Sequence, residues 1–237
     1  MKRFIERRDF LKLGATGAAS LLAMGSELLW HAKQAQAAEL SPTNSQPLDP
    51  DTALQKLMEG NQRFIQHRPQ YPDQSQARLL EVAQAQHPFA TILSCADSRV
   101  PAEIIFDQGI GNIFDVRIAG NIATPAAVGS IEYAVALLGT PVLMVLGHER
   151  CGAVTAAVKN EALPGEISSF VKAILPAVDK VKGLSGDAVD NAVIANVFYQ
   201  INQLQRSPLL TEQLQSGKLK IVGGRYDLDT GSVMIIT

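Results

Sequence analysis

The stretch Pro141-Val-Leu-Met-Val-Leu-Gly-His148-Glu-Arg-Cys151-Gly152 decides how this chain is read. Pro141–Leu146 is a short apolar run with no polar alternation. Such a run marks a strand covered on both faces, as in a parallel sheet. It ends at Gly147-His148, and Cys151 begins a helical pattern. The chain thus passes from strand to helix through a loop that carries an imidazole and a thiol. In open α/β sheets, ligands bind outside the carboxyl ends of the strands.

A second unit of this kind lies upstream. Phe89–Ser94 is another short apolar run, and it ends in Cys95-Ala96-Asp97-Ser98-Arg99. Ile113–Ile118 reads as a further strand. Pro125 opens a helix through Leu138, with Gly139 as its stop. Val171–Val181 and Val189–Gln205 are helical stretches. Lys218–Gly223 and Ser232–Ile236 read as strands around an Asp229-Thr230-Gly231 turn. Before the first strand, Asp51 begins a helix with Leu54, Leu57, Met58, Asn61, Phe64 and Ile65 on one face. Asn61 interrupts that face, which suggests packing on a larger surface such as a partner subunit. Ser75 can cap a second helix through about Gln84. The alternation predicts an α/β domain: a central, mostly parallel β-sheet flanked by helices, with an N-terminal helical arm and a C-terminal β-hairpin.

The chain has 237 residues, 46% hydrophobic and 19% charged, with formal net charge −2. That suits one domain with a sizeable core and excludes a disordered or collagen-like chain. The absence of a basic surplus argues against a nucleic-acid partner. Its 2 cysteines exclude a disulfide scaffold.

Both cysteines fall at strand ends, one with a nearby His and one with an Asp–Arg pair. Two thiolates and an imidazole suit Zn²⁺, which favours S and N donors in a tetrahedron. Cys95, His148 and Cys151 leave a fourth place for water, or for Asp97 if the site is closed. Arg99 can grip the Asp97 carboxylate with two parallel hydrogen bonds and keep it off the metal. Plainer readings stand beside this one: a Cys95–Cys151 disulfide, buried cysteines acting as small hydrophobes, and an ordinary surface ion pair.

Taken together, Cys-x-Asp-Ser-Arg at 95–99 and Gly-His-x-x-Cys-Gly at 147–152 resemble the β-class carbonic anhydrases. The resemblance runs from about Asp51 to Ile236. Gln86-x-Pro88, Arg117-Ile-Ala-Gly-Asn121, Ile131-Glu-Tyr-Ala-Val135 and Gly224-x-Tyr226-Asp227 with Thr230-Gly231 each resemble family segments. It implies Cys95, His148 and Cys151 as ligands of one zinc, Asp97 and Arg99 as a catalytic dyad, and Gln86, Phe114, Tyr133 and Gly152 as pocket lining. Some of these would face the neighbouring subunit's metal, in a homodimer or dimer of dimers. The implied reaction interconverts CO₂ and bicarbonate by a zinc-bound hydroxide that the dyad orients. Glu149-Arg150 and Gly109-Ile110-Gly111 depart from the family pattern beside the site. Other readings are a binding or sensing protein with Asp97 on the metal, a dithiol redox protein, and a hydrolase of a CO₂ analogue such as carbon disulfide.

Residues 1–37 read as an address. Arg7-Arg8-Asp9-Phe10-Leu11-Lys12 is a twin-arginine pair, Leu13 to Met24 is weakly apolar, and Ala35-Gln36-Ala37 is a small-x-small exit. Gly14, Gly17, Ser20, Gly25 and Glu27 break the apolar stretch below the roughly 20 residues of a membrane span. Cleavage would leave no membrane span. It would also leave 15 basic and 20 acidic residues, net −5. The expected organisation is a signal peptide at 1–37, a linker at 38–50 and the domain at 51–237. The expected destination is the periplasm, or the thylakoid lumen in a cyanobacterium.

Overall fold

The computed structural model describes residues 48–161 and 163–236. The expected leader and all but the last residues of the expected linker lie outside them. Among the described residues five strands form one sheet: β1 (Ala90–Ser94), β2 (Ile113–Arg117), β3 (Val142–His148), β4 (Lys220–Tyr226) and β5 (Val233–Ile235). Their order is β2-β1-β3-β4-β5. All neighbours are parallel except β4 and β5, which form the antiparallel C-terminal hairpin.

The helices are α1 (Pro50–Ile65), α2 (Gln76–Val82), α3 (Ala102–Ile105), α4 (Pro125–Ala136), α5 (Gly152–Lys159), α6 (Ile167–Val181), α7 (Ala188–Leu204) and α8 (Pro208–Gln215). A 3₁₀ turn at Ala119–Asn121 follows β2. β1 and β3 are buried along their whole length, as their unbroken apolar runs predict. Alternate residues feed two cores. Ile92, Met144, Leu146 and Val222 pack with Leu57, Ile105 and Phe106 on one face. Leu93, Leu143 and Val145 pack with Ile131, Val197 and Leu210 on the other.

Several boundaries differ from the sequence reading. β4 runs on to Tyr226 rather than stopping at Gly223, because Gly147↔Arg225 and His148↔Tyr226 extend its ladder with β3. The buried line of α1 is Ala53, Leu57, Gly60 and Asn61, while Leu54, Met58 and Phe64 are only partly covered. Asn61 does not await a partner subunit. Its amide donates to Ile105 O at 3.1 Å and Gly231 O at 2.9 Å, and its carbonyl accepts from Val233 N at 2.9 Å. The helix is therefore tied to its own sheet. Helices α3 and α8 have no counterpart among the expected elements. Among the described residues, no helix is long and apolar enough to cross a membrane.

Candidate metal centre

The sheet order explains how distant cysteines meet. β1 and β3 are parallel neighbours with Ser94 opposite Leu146, so Cys95 emerges beside the Gly147-His148 end of β3. The chain then turns through Arg150, whose φ is +48°, and Cys151 caps α5. Thr155 fixes that cap: its N–H and its hydroxyl both donate to Cys151 O, at 2.8 and 2.9 Å.

Cys95, His148 and Cys151 are all buried, and their ligand atoms lie within 4.8 Å of one another. The two sulfurs are 4.0 Å apart and both cysteines are free. His148 Nδ1 bonds Glu149 O at 2.8 Å, which assigns the proton to Nδ1. Its Nε2 is left as a lone-pair donor, buried and without a hydrogen-bond partner. A buried imidazole nitrogen with no partner, facing two thiols, is the donor set of a tetrahedral zinc site. The two thiols share their proton unequally. The Cys95 thiol is held well below its ordinary range, first by the hydrogen bond with Cys151, then by His148 and the N–H groups of Gly120 and Asp97, against burial. Cys151 is pushed up by the same bond and by burial. The pair thus keeps one proton, which a bound metal would displace.

Asp97 is held away from this cluster. Arg99 Nε donates to Oδ1 at 2.9 Å and the Arg99 NH2 group donates to Oδ2 at 2.8 Å, while the Arg99 backbone N–H also bonds Oδ1. These bonds, led by the guanidinium, lower the Asp97 pKa to about 2, so the carboxylate is ionised at neutral pH. Oδ2 stands 3.8 Å from His148 Nε2, too far for a hydrogen bond. Sequence reading gave Arg117 no role, yet its guanidinium bonds Cys95 O at 3.2 Å and Asp97 O at 2.6 Å. Its place at the end of β2, next to β1, was the available signal.

The expected pocket residues are more scattered. Phe114 and Tyr133 meet with ring centroids 6.3 Å apart, and Tyr133 is 42% exposed. Gln86 is exposed on the segment before β1, and Gly152 is the first residue of α5, beside Cys151.

Residues 90–233 match the carbonic anhydrase sequence family. The chain is 43% identical over 194 residues to carbonic anhydrase 2 of Mycobacterium tuberculosis, covering 79% of this chain and 93% of that protein. The chain belongs to the β-class carbonic anhydrases. It is also 40% identical over 192 residues to a carbonic anhydrase of Mycolicibacterium smegmatis, covering 78% of this chain and 92% of that one. Among solved structures, the β-carbonic anhydrase CafA of Aspergillus fumigatus superposes with a TM-score of 0.64 at 27% identity, over 78% of this chain and 89% of that one. For a carbonic anhydrase, the Cys-His-Cys cluster beside an Asp–Arg pair is the part of the chain whose chemistry fits the family.

Proposed function

We propose that this carbonic anhydrase interconverts CO₂ and bicarbonate at a zinc held by Cys95, His148 and Cys151. The observation that carries the reading is the buried, partnerless Nε2 of His148 within 4.8 Å of both sulfurs. Bound there, zinc would lower the pKa of a water molecule enough to make hydroxide available near neutral pH. The chain's own groups do the rest. Arg99 takes both Asp97 oxygens, so the carboxylate stays beside the ligand set instead of filling the fourth position. From there Asp97 can accept a hydrogen bond from the attacking water and aim its lone pair at the CO₂ carbon. Arg117 holds the Cys95 and Asp97 carbonyls, which keeps ligand and carboxylate in one frame. His148 is kept in a single tautomer by Glu149 O.

Phe114 and Tyr133 offer an apolar wall for CO₂, and Gln86 a neutral donor to an oxygen of CO₂ or bicarbonate, with Gly152 leaving room beside Cys151. A homodimer is the setting for these groups. Its support is the exposure of apolar residues: Tyr133, and Tyr71 and Ile104 along a groove of about 580 Å³. We read residues 1–37 as a twin-arginine signal peptide, with the periplasm, or the thylakoid lumen in a cyanobacterium, as the destination of the mature enzyme.

The test is made on purified protein. About one zinc per chain, a mass of two chains or a multiple, and CO₂ hydration that disappears with the metal in Cys95→Ser are expected. Full hydration activity after metal removal would overturn the reading.

A further inference from the structure

A row of amide groups leads from helix α7 to the sulfur of Cys95. Ala123 N–H donates to Gln200 Oε1 at 2.9 Å. Gln200 Nε2 donates to Asn196 Oδ1 at 2.9 Å. Asn196 Nδ2 donates to Gly120 O at 2.9 Å. Gly120 N–H donates to Cys95 Sγ at 3.3 Å. Asn196 and Gln200 are 1% and 2% exposed, so no water competes for these bonds. The two backbone ends fix the direction of the row. A backbone N–H at one end requires the Gln200 oxygen, and a backbone carbonyl at the other requires the Asn196 nitrogen. Each side-chain amide can then point only one way, and the dipoles share one sense as far as the Gly120 carbonyl; the N–H on Cys95 Sγ belongs to the preceding peptide, so the row acts on it by fixing the position of Gly120.

The 3₁₀ turn that the row grips is also closed by its own bond from Asn121 N to Ile118 O at 2.8 Å. Gly120 has φ +73°, and a Cβ there would sit 2.5 Å from Ile174 Cδ1 and 3.2 Å from Ala153 Cβ. Its backbone therefore comes close enough for the N–H to reach a buried sulfur. An N–H bonded to a thiolate withdraws electron density from it. The metal then receives less charge from that ligand and remains a stronger Lewis acid. This matters where two of three protein ligands are thiolates, which donate more charge than imidazoles.

We propose that Asn196 and Gln200 are positioning residues that hold the Gly120 N–H on Cys95 Sγ and so set how strongly this sulfur donates to the metal. The proposal rests on the reading of Cys95 as a zinc ligand. It is tested on full-length mature protein loaded with Co²⁺ in place of zinc, whose sulfur-to-cobalt charge-transfer band reports sulfur donation. Asn196→Leu and Gln200→Leu should each move the band to longer wavelength through stronger sulfur donation, and the loss of a fixed ligand position should weaken zinc binding by roughly tenfold. Leu204→Ala, at the far end of the same helix and 0% exposed, should lower thermal stability without moving the band. An unmoved band and unchanged zinc affinity in a folded Asn196→Leu or Gln200→Leu protein would overturn the proposal, as would an equal band shift in Leu204→Ala. If Asn196→Leu does not fold, Gln200→Leu decides alone. A parent protein with no sulfur-to-cobalt band would remove the metal-site reading and this proposal with it.

Discussion

Asp115 shows what a single half-buried carboxyl costs. It lies on β2 with its pKa pushed up to about 6, chiefly by burial and then by the charge of Glu103. Arg117 at 3.9 Å and the Ser94 hydroxyl at 3.3 Å offset only part of this. A carboxyl with a raised folded pKa disfavours the native state once it is ionised. The cost is absent below its ordinary value of 3.8, grows as pH rises, and is complete above about pH 6. Asp115→Asn should therefore raise the thermal midpoint by a few degrees at pH 8 and leave it nearly unchanged near pH 4. Calorimetry at both pH values checks this, and an equal shift at both would mean that Asp115 acts through packing rather than charge. Asp97 is the opposite case, since its guanidinium partner keeps it ionised through the whole range in which an enzyme of this family would work.

At the scale of elements, α1 is held by one polar residue as well as by its apolar face. Asn61 is 1% exposed and satisfies three backbone groups from α3, the hairpin turn and β5. Asn61→Leu would leave all three unpaired and should cost about 3 kcal/mol, read from denaturant unfolding. A loss under about 1 kcal/mol would show that water or a backbone shift replaces the amide. The helix itself was legible from its spacing, but its orientation was not. Large apolar residues dominate a sequence pattern, whereas the contact is made where side chains are small. At Gly60 a Cβ would fall 1.7 Å from Phe106 O. The strands β1 and β3 were legible because burial on both faces leaves an unbroken apolar run. Helix α8 was overlooked although Ser207-Pro208 is a cap followed by proline, and the Ser207 hydroxyl does accept from Leu210 N. At the centre, the three candidate donors could be read off because thiols and imidazole are rare and sit at strand ends. The bonds that aim them could not, since Glu149 O and Gly120 N are main-chain atoms that every residue possesses.

At the scale of the whole molecule, the first 37 residues and the domain make separate demands. Residues 1–37 fused to a reporter should carry it out of a bacterial cytoplasm, and Arg7→Lys with Arg8→Lys should retain it there. Cell fractionation reads the result, and export that persists in a host lacking the twin-arginine translocase would sink the assignment. The topology bears on the same journey. Cys95 and Cys151 are 56 residues apart in sequence and 4.0 Å apart across β1 and β3. An ion gripping both would act as a removable staple, closing a long loop and favouring the folded chain over the unfolded one by mass action. A chain still emerging from the ribosome owns one donor of the three until β3 has docked. Occupancy would thus report that β1 and β3 have paired, and a passenger that crosses a membrane already folded could depart with the ion in place.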